Sequence, residues 1–259
     1  MMIGMLMLAA SLVSVGEVRV DCPDPGSWRF KTQARRESNG VEIVSIRLDS
    51  DHEALPPQFS VMWFTTQHNV HHVWSADSTH YGIPWGGPCP SELTSWLPVY
   101  SFIDANDGNR FTFACSESVR RVVFSAGISE ERMGFDCACK FFTVPEAPLS
   151  SYSVELRFDV RDVFYAKSIG DASDWICRAA DIEPMPAPQC AFDPLYSTWY
   201  TFHQTPTAEL VEEECALASA LGMKTLITDD GWQIDHPPGQ REGGDVRLLW
   251  RLDPRAEFS

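Results

Sequence analysis

The stretch Met-Lys-Thr-Leu-Ile-Thr-Asp-Asp-Gly-Trp-Gln, residues 223–233, decides the fold of the C-terminal part of the chain. A short apolar run leads directly into two adjacent carboxylates, Asp229 and Asp230, and then into a glycine and Trp232. Two like charges side by side are costly away from water. The pair therefore belongs either to a solvated turn, for which Asp and Gly are ordinary residues, or to a functional site. The thirty residues before it favour the functional site.

Those preceding residues predict a strand, a helix and a second strand. Residues 196–202 are rich in aromatic and hydroxyl side chains and suit a strand, and a threonine within residues 205–207 can cap a helix whose first turn tolerates Pro206. Gly222 suits a left-handed cap at the helix end, and a short buried strand at residues 226–227 completes a right-handed parallel crossover. The predicted apolar stripe of the helix consists of Leu210, Val211, Cys215, Leu217, Ala218 and Leu221.

Ligands gather at the carboxyl ends of the strands in such parallel units, which is where Asp229 and Asp230 fall. Trp199 is placed on the first predicted strand, thirty positions before Asp229, so the two side chains can face the same mouth. The apolar face of a pyranose stacks on an indole while its hydroxyls donate to carboxylates. These residue types predict a carbohydrate site, and a structural turn is the alternative on geometry alone.

The same residues resemble a known family. Pro-Leu-Tyr-Ser-Thr-Trp-Tyr at 194–200, the Glu-rich helix and Thr-Asp-Asp-Gly-Trp-Gln at 228–233 are similar to the start of the catalytic barrel of glycoside hydrolase family 36. That family contains α-galactosidases, some α-N-acetylgalactosaminidases and raffinose-synthesis transferases. The resemblance implies that Asp229 and Asp230 bind galactose hydroxyls. It also implies that Trp199 and Trp232 line the sugar pocket.

A softer similarity extends upstream to the N-terminal β-rich domain of the bacterial α-galactosidase branch. It is carried by residues 94–100, 109–115 and 141–143, so that the resemblance covers roughly residues 40–235. The fold class expected is therefore α/β with an all-β domain. An antiparallel β-sandwich at residues 17–182 precedes a Pro-rich linker at 183–194, and residues 195–259 are expected to form the incomplete start of a (β/α)8 barrel.

The sequence departs from the family where catalysis is concerned. A complete barrel needs about 250 residues, whereas 65 residues follow Pro194. The resemblance implies two catalytic aspartates on later strands, because a retaining mechanism needs two carboxyl groups ~5–5.5 Å apart. No residue of this chain matches either one, and Asp229 and Asp230 are poor candidates because they are adjacent in the sequence. We therefore predict no catalytic residue here.

The expected function is the N-terminal portion of an α-galactosidase-type retaining glycoside hydrolase that acts on α-galactosides. The alternatives are a non-catalytic galactose-binding β-sandwich module and a fragment of a raffinose-synthase-like galactosyltransferase. Residues 236–259 have little periodicity and several turn formers, which indicates a truncation, a local frameshift or a solvated tail. The expected partner is galactose or an α-galactoside, and self-association into a homo-oligomer is left open.

Within the predicted sandwich, strict alternation over residues 154–161 indicates a strand with one buried and one wet face. Residues 163–180 are a helix candidate with Trp175 and Ile176 packing inward. Cys137 and Cys139 lie on the same face of a predicted strand, which favours core packing over a metal or redox pair. The triplet His68, His71 and His72 is expected in a loop or at the surface. We predict no metal site and no cofactor.

Composition and the N-terminus bear on the compartment. The formal net charge of −16 argues against nucleic-acid binding, since no basic patch offsets it. The eight cysteines are scattered and indicate reduced thiols in the cytoplasm. Residues 1–15 are apolar but lack a preceding Lys or Arg, and they are too short to span a bilayer. They are expected to be an edge strand or an over-extended start, and a signal peptide on a secreted protein is the alternative.

Overall fold

The computed structural model describes residues 6–66, 68–76, 89–92, 95–203 and 205–230. The chain divides into two compact units, one ending at Pro184 and the other beginning at Met185. Among the residues described, no helix is both long enough and apolar enough to span a bilayer.

The first unit is built mainly from antiparallel strands, with one helix, α1 (Tyr165–Ala179), at its C-terminal end. In chain order the strands are β1 (Leu6–Leu12), β2 (Gly16–Cys22), β3 (Arg29–Arg36), β4 (Glu42–Ala54), β5 (Phe59–Thr65), β6 (His72–Ser75), β7 (Cys89–Ser91), β8 (Val99–Ile103), β9 (Asn109–Cys115), β10 (Val122–Ser129), β11 (Gly134–Phe141) and β12 (Leu149–Asp159).

These strands form two antiparallel sheets that pack face to face. The first sheet has the order β1-β2-β5-β11-β10-β7, and the second has the order β3-β4-β12-β9-β8-β6. The Trp63 ring of the first sheet meets the Phe113 and Phe158 rings of the second edge-on, with centroids 4.8 and 5.1 Å apart. Phe102 of the second sheet stacks on Phe135 of the first at 4.6 Å. Aromatic pairs of this kind add to the stabilisation from burial. The all-β architecture predicted for this region is confirmed.

The alternation in β12 predicts only one of its faces correctly. Val154, Leu156 and Phe158 point into the core between the sheets, as expected. The opposite face was expected to be wet, yet Arg157 and Asp159 are buried at that end of the strand. Val160, expected inside, lies beyond the end of the strand and is 38% exposed.

Helix α1 explains this departure. It forms where residues 163–180 predict a helix, and Trp175 and Ile176 are buried as predicted. They pack with apolar side chains on the outer face of the second sheet, among them Ile43 and Ala114. A helix that covers a sheet face removes water from it, so polar side chains there must pair with one another.

The polar side chains at that end of the sheet are joined in a buried network around Asp159. Its carboxylate accepts hydrogen bonds from the Arg157 guanidinium at 2.9 Å, from Arg161 at 2.6 Å and from the Ser168 hydroxyl of α1 at 2.9 Å. Arg161 also bonds to Asp171 of α1 at 2.8 Å. The network ties the end of β12 to the helix.

The N-terminal segment forms an edge strand, which is one of the two preferred interpretations of residues 1–15. Strand β1 pairs only with β2 in the first sheet and precedes residue 17, where the predicted sandwich begins. The turn after β1 is held by the buried carboxylate of Glu42 in the second sheet, which accepts hydrogen bonds from the Val13 and Ser14 amides at 2.9 and 2.7 Å.

Strands β10 and β11 form a hairpin that contains the Cys-Ala-Cys segment. Cys137 and Cys139 are both buried in the core, so the core-packing interpretation is confirmed. Burial raises the pKa of both thiols because it disfavours the charged thiolate. The two side chains therefore act as small hydrophobic residues.

The second unit begins with a 3-10 helix at Gln189–Phe192 and contains a strand–helix–strand unit. Its strands are β13 (Leu195–Ser197) and β14 (Thr225–Ile227), which pair in parallel. Between them lie a single helical turn, α2 (Trp199–Phe202), and the helix α3 (Ala208–Ala220). The Thr207 hydroxyl caps α3 by accepting from the Leu210 amide at 3.4 Å, and Gly222 has a φ of +88°, as its predicted cap role requires.

Three expectations for the second unit are wrong in detail. Residues 196–202 are not one strand, because β13 ends at Ser197 and a helical turn follows. Strand β14 is not buried, since Ile227 is 44% exposed. The apolar stripe of α3 is largely exposed, including Cys215 and Leu217, and Ala218 is its one buried member among the described residues. The spacing of the apolar residues predicts the helix correctly but does not predict that its apolar face is exposed.

Candidate functional site

The candidate site lies at the carboxyl ends of the two parallel strands of the second unit. The register pairs Ser197 with Ile227, so both strands end at the same level. Residues 198–199 and 228–230 therefore leave the sheet side by side. Such strand ends are the usual place for ligands in parallel units.

Thr198 joins the two strand ends. It is fully buried, its amide donates to the Ile227 carbonyl at 3.1 Å, and its Oγ1 accepts from the Asp229 amide at 3.0 Å. Its own carbonyl accepts from the Phe202 amide at 2.9 Å, which starts the helical turn α2. One threonine thus fixes where the acidic loop begins and where the chain carrying Trp199 turns.

The two carboxylates project from this anchored loop in different environments. Asp229 is exposed and Asp230 is half-buried. The Asp230 amide donates to Oδ1 of Asp229 at 2.8 Å, which turns that oxygen toward the local backbone. A carboxylate has about four lone-pair sites, so Asp229 keeps further acceptor positions for a ligand.

Trp199 does not lie on a strand, contrary to the sequence prediction. It is the first residue of α2 and directly follows Thr198, the residue bonded to Asp229. Its half-buried ring meets His203 edge-on, with centroids 5.3 Å apart. The fourth predicted residue, Trp232, lies outside the described residues.

The backbone places residues that carry hydrogen-bond acceptors and an aromatic side chain after the ends of two paired strands. Carboxylates accept from hydroxyl donors in strong, charge-assisted bonds, and an indole supplies an apolar face. Thr198 was not predicted from the sequence, because its role depends on the parallel register that brings it beside Asp229, and the thirty-residue spacing is shared by every paired position of the two strands.

The histidine triplet, which was considered as a possible metal site, lies in the first unit. His72 begins β6, and the His71 amide donates to the Ile103 carbonyl at 2.8 Å. Within the described ranges, no cluster of three or more His, Cys, Asp or Glu residues is arranged to hold a metal ion.

Comparisons with known proteins give weak structural similarities. No family model matches the chain, and no curated protein matches it. An alpha-galactosidase from Lactobacillus brevis has 9% sequence identity and a TM-score of 0.39, with 87% of this chain and 38% of that chain covered. A GH36 alpha-galactosidase variant from Geobacillus stearothermophilus in complex with raffinose has 11% identity and a TM-score of 0.41, with 89% and 34% covered. The chain thus spans little more than a third of the length of these structures, and similarities this low assign no site residue.

Proposed function

We propose that this chain is part of an α-galactosidase-type retaining glycoside hydrolase and contributes residues that bind the galactose ring of an α-galactoside. The proposal rests on the Asp-Asp-Gly-Trp segment and the upstream Trp199, which resemble glycoside hydrolase family 36. The observation that carries it is the hydrogen bond from the Asp229 amide to the Thr198 hydroxyl, 3.0 Å long. That bond holds the acidic loop beside the residue preceding Trp199.

In this proposal the second unit is the first strand–helix–strand unit of a (β/α)8 barrel. The parallel pairing of β13 with β14 supports it, because barrel strands are parallel and their carboxyl ends carry the active site. Asp229 and Asp230 accept hydrogen bonds from galactose hydroxyls. Trp199, together with Trp232, contributes an apolar wall on which the sugar ring stacks.

The role of the aspartate pair is to orient the sugar and not to break the glycosidic bond. Adjacent residues of one loop approach a ligand from one side, whereas a retaining mechanism needs carboxyl groups on opposite sides of the bond. Holding the ring in a fixed pose lowers the entropic cost of the reaction. The catalytic nucleophile and the general acid/base are not assigned to any residue described.

Titration of the full chain with galactose, with binding measured by ligand-observed NMR, tests the proposal. Asp230→Ala removes charged acceptors, each worth about 1.5–3 kcal/mol when hydrogen-bonded, so the dissociation constant should rise at least tenfold. Glu212→Gln, an exposed change on α3, is the matched control and should leave the affinity unchanged. Equal galactose binding by the wild type and the Asp230→Ala variant would refute the site.

Thr198→Val tests the positioning of the loop separately. The valine keeps the shape of threonine but leaves the Asp229 amide without its acceptor, so galactose affinity should fall while the first unit stays folded. Thr198→Ser keeps the hydroxyl and should restore the affinity. Unchanged affinity in Thr198→Val, with circular dichroism identical to the wild type, would show that the 198–229 bond does not shape the site.

A further inference from the structure

A cavity of about 530 Å³ lies on the outer face of the first sheet, in the first unit. Its volume falls within the ~300–1,000 Å³ that is typical of small-molecule sites. Strand alternation creates it, because Trp63 and Cys137 use the inner face of the sheet for the core. Their chain neighbours on β5 and β11 project outward instead, together with outward side chains of the adjacent strands β2 and β10. We call this outer cavity the sheet cleft.

The register of the strands arranges the sheet cleft in a row. Arg19 pairs with Met62, Met62 with Ala138, and Ala138 with Ser125. The small side chains of Ala138 and Ser125 leave a depression beside the longer Met62. Phe64, the next outward residue of β5, stands at the edge of that depression and pairs with Asp136. The depression therefore has an apolar wall and a small, partly polar floor.

The charges around the sheet cleft balance each other. Arg19 pairs with Glu17 at 2.8 Å, and Arg132 pairs with Asp136 at 2.6 Å. Two cations and two anions contribute no net charge to the cleft. The formal net charge of the whole chain is −16, which further disfavours an anionic ligand. This charge balance favours a neutral ligand over a nucleotide or a phosphorylated compound.

The charged side chains nevertheless offer many polar contacts. A guanidinium has five N–H donors and a carboxylate about four acceptor sites, so each pair keeps sites for a third partner. The Arg132 guanidinium lies over the Phe64 ring, 3.7 Å from its centroid, which holds the charge in place. Fixed donors and acceptors next to apolar Met62 and Phe64 suit a molecule that has both hydroxyls and apolar faces.

We propose that the sheet cleft binds a neutral oligosaccharide. A sugar ring presents hydroxyls that both donate and accept, together with apolar C–H faces. It can therefore use Glu17 and Asp136 as acceptors, Arg19 and Arg132 as donors, and Met62 with Phe64 as its apolar contact. A purely apolar ligand would leave four charged groups desolvated, which is costly. The cleft gives the first unit a saccharide site of its own, in a different unit from Asp229 and Asp230.

Saturation-transfer NMR on the full chain tests this proposal with three neutral trisaccharides that contain no galactose, namely melezitose, maltotriose and cellotriose. At least one should bind with a dissociation constant in the millimolar range or below. Ser125→Arg fills the floor from an outward-facing position and should weaken that binding at least tenfold. Ser151→Arg introduces the same side chain at an exposed position of β12 and should leave binding unchanged.

Two further variants serve as a replacement for Ser125→Arg and as a test that separates the two proposed sites. Phe64→Ala removes the apolar wall and replaces Ser125→Arg as the test if the latter fails to fold by circular dichroism. Asp230→Ala should retain trisaccharide binding, which separates the cleft from the proposed galactose site. The proposal is overturned if none of the three sugars binds. It is equally overturned if binding keeps its wild-type affinity in folded Ser125→Arg or Phe64→Ala, whatever the effect of Asp230→Ala.

Discussion

The two units differ in how far their apolar side chains are buried. In the described part of the first unit, the aromatic side chains that are less than 2% exposed include Phe59, Phe102, Phe111, Phe113, Phe124, Phe141 and Phe158. In the second unit, Leu217 is 61% exposed and Leu221 is 78% exposed. Two antiparallel sheets bury each other's inner faces, whereas the described part of the second unit, a parallel strand pair with a helix beside it, has too few layers to bury its own apolar surface. The first unit is therefore expected to be the stable part of the chain.

The largest effect is expected from truncating the aromatic core. Phe113→Ala removes a ring that contacts Trp63 and Tyr100, and should lower the free energy of unfolding by about 3–5 kcal/mol. Tyr200→Ala in the second unit is the control, because that side chain is 87% exposed and its loss should change stability by less than about 0.5 kcal/mol. Urea unfolding followed by fluorescence measures both, and equal losses would break the contrast between the units.

The next effect comes from the buried network around Asp159. Asp159→Asn removes the charge that Arg157 and Arg161 share, and should cost roughly 3 kcal/mol, because removing one partner leaves a buried charge uncompensated. The exposed Asp162→Asn is the matched control. Urea denaturation at neutral pH that gives the same midpoint for both variants would contradict this account of the network.

The same carboxylate makes stability depend on pH. Burial by itself raises the pKa of Asp159, but hydrogen bonds and charge from Arg161 and Arg157 outweigh it and bring the pKa below its ordinary value. A depressed folded-state pKa means that the stabilisation is present above the unfolded pKa of about 3.9 and is lost as the pH falls through the folded value. Wild-type stability should therefore fall more steeply below about pH 4 than that of Asp159→Asn. Parallel slopes in urea titrations across this range would contradict the assignment.

A smaller, local effect is expected at the corner of the sandwich. Glu42→Gln replaces a carboxylate that accepts from two amides with a side chain that offers one oxygen, at a cost of about 1.5 kcal/mol. Hydrogen exchange of the Val13 and Ser14 amides should accelerate while that of the central strands changes little. Glu53→Gln at the exposed end of β4 should change neither. Unaltered exchange at both amides in Glu42→Gln would show that the carboxylate does not hold the turn.

The smallest effect on folding is expected on the exposed stripe of α3. Leu217→Glu should change the free energy of unfolding by less than about 0.5 kcal/mol, because the side chain is already 61% exposed. It should reduce self-association, since exposed leucines and strand edges that have no neighbour among the described residues favour contact between chains. Light scattering at increasing concentration measures this, with Glu213→Gln as the control. A wild-type chain that stays monomeric at high concentration would contradict the prediction.

The sequence predicts the local elements of this chain better than their surroundings. Alternation finds β12 and helical spacing finds α1 and α3, because both patterns report on single elements. Arg157 and Asp159 were expected in water because nothing in β12 itself shows that α1 covers them. The exposure of Leu217 was not predicted either, because an apolar stripe shows which face of a helix is hydrophobic but not whether another element covers that face.

In the candidate site, too, local sequence patterns were predicted better than contacts between distant residues. Asp229 and Asp230 were found because paired carboxylates after an apolar run are conspicuous. Thr198 was missed because a threonine among aromatic and hydroxyl residues looks like one more strand position. Its role depends on the parallel register with β14, which brings Asp229 within 3.0 Å of its hydroxyl from thirty-one residues away. Trp199 was assigned to a strand because the composition of residues 196–202 does not mark the point where Thr198 starts the helical turn.

The Glu42 carboxylate has a mechanical consequence. It belongs to the second sheet but holds the turn that connects the first two strands of the other sheet. A pulling force applied at the N-terminus first separates β1 from β2, beginning at Leu6, and then reaches the turn, where two amide–carboxylate bonds pass the load into β4, a strand flanked on both sides. In a single-molecule stretching experiment, the release of β1 should therefore be followed by a separate resistance at the turn, which Glu42→Gln should weaken.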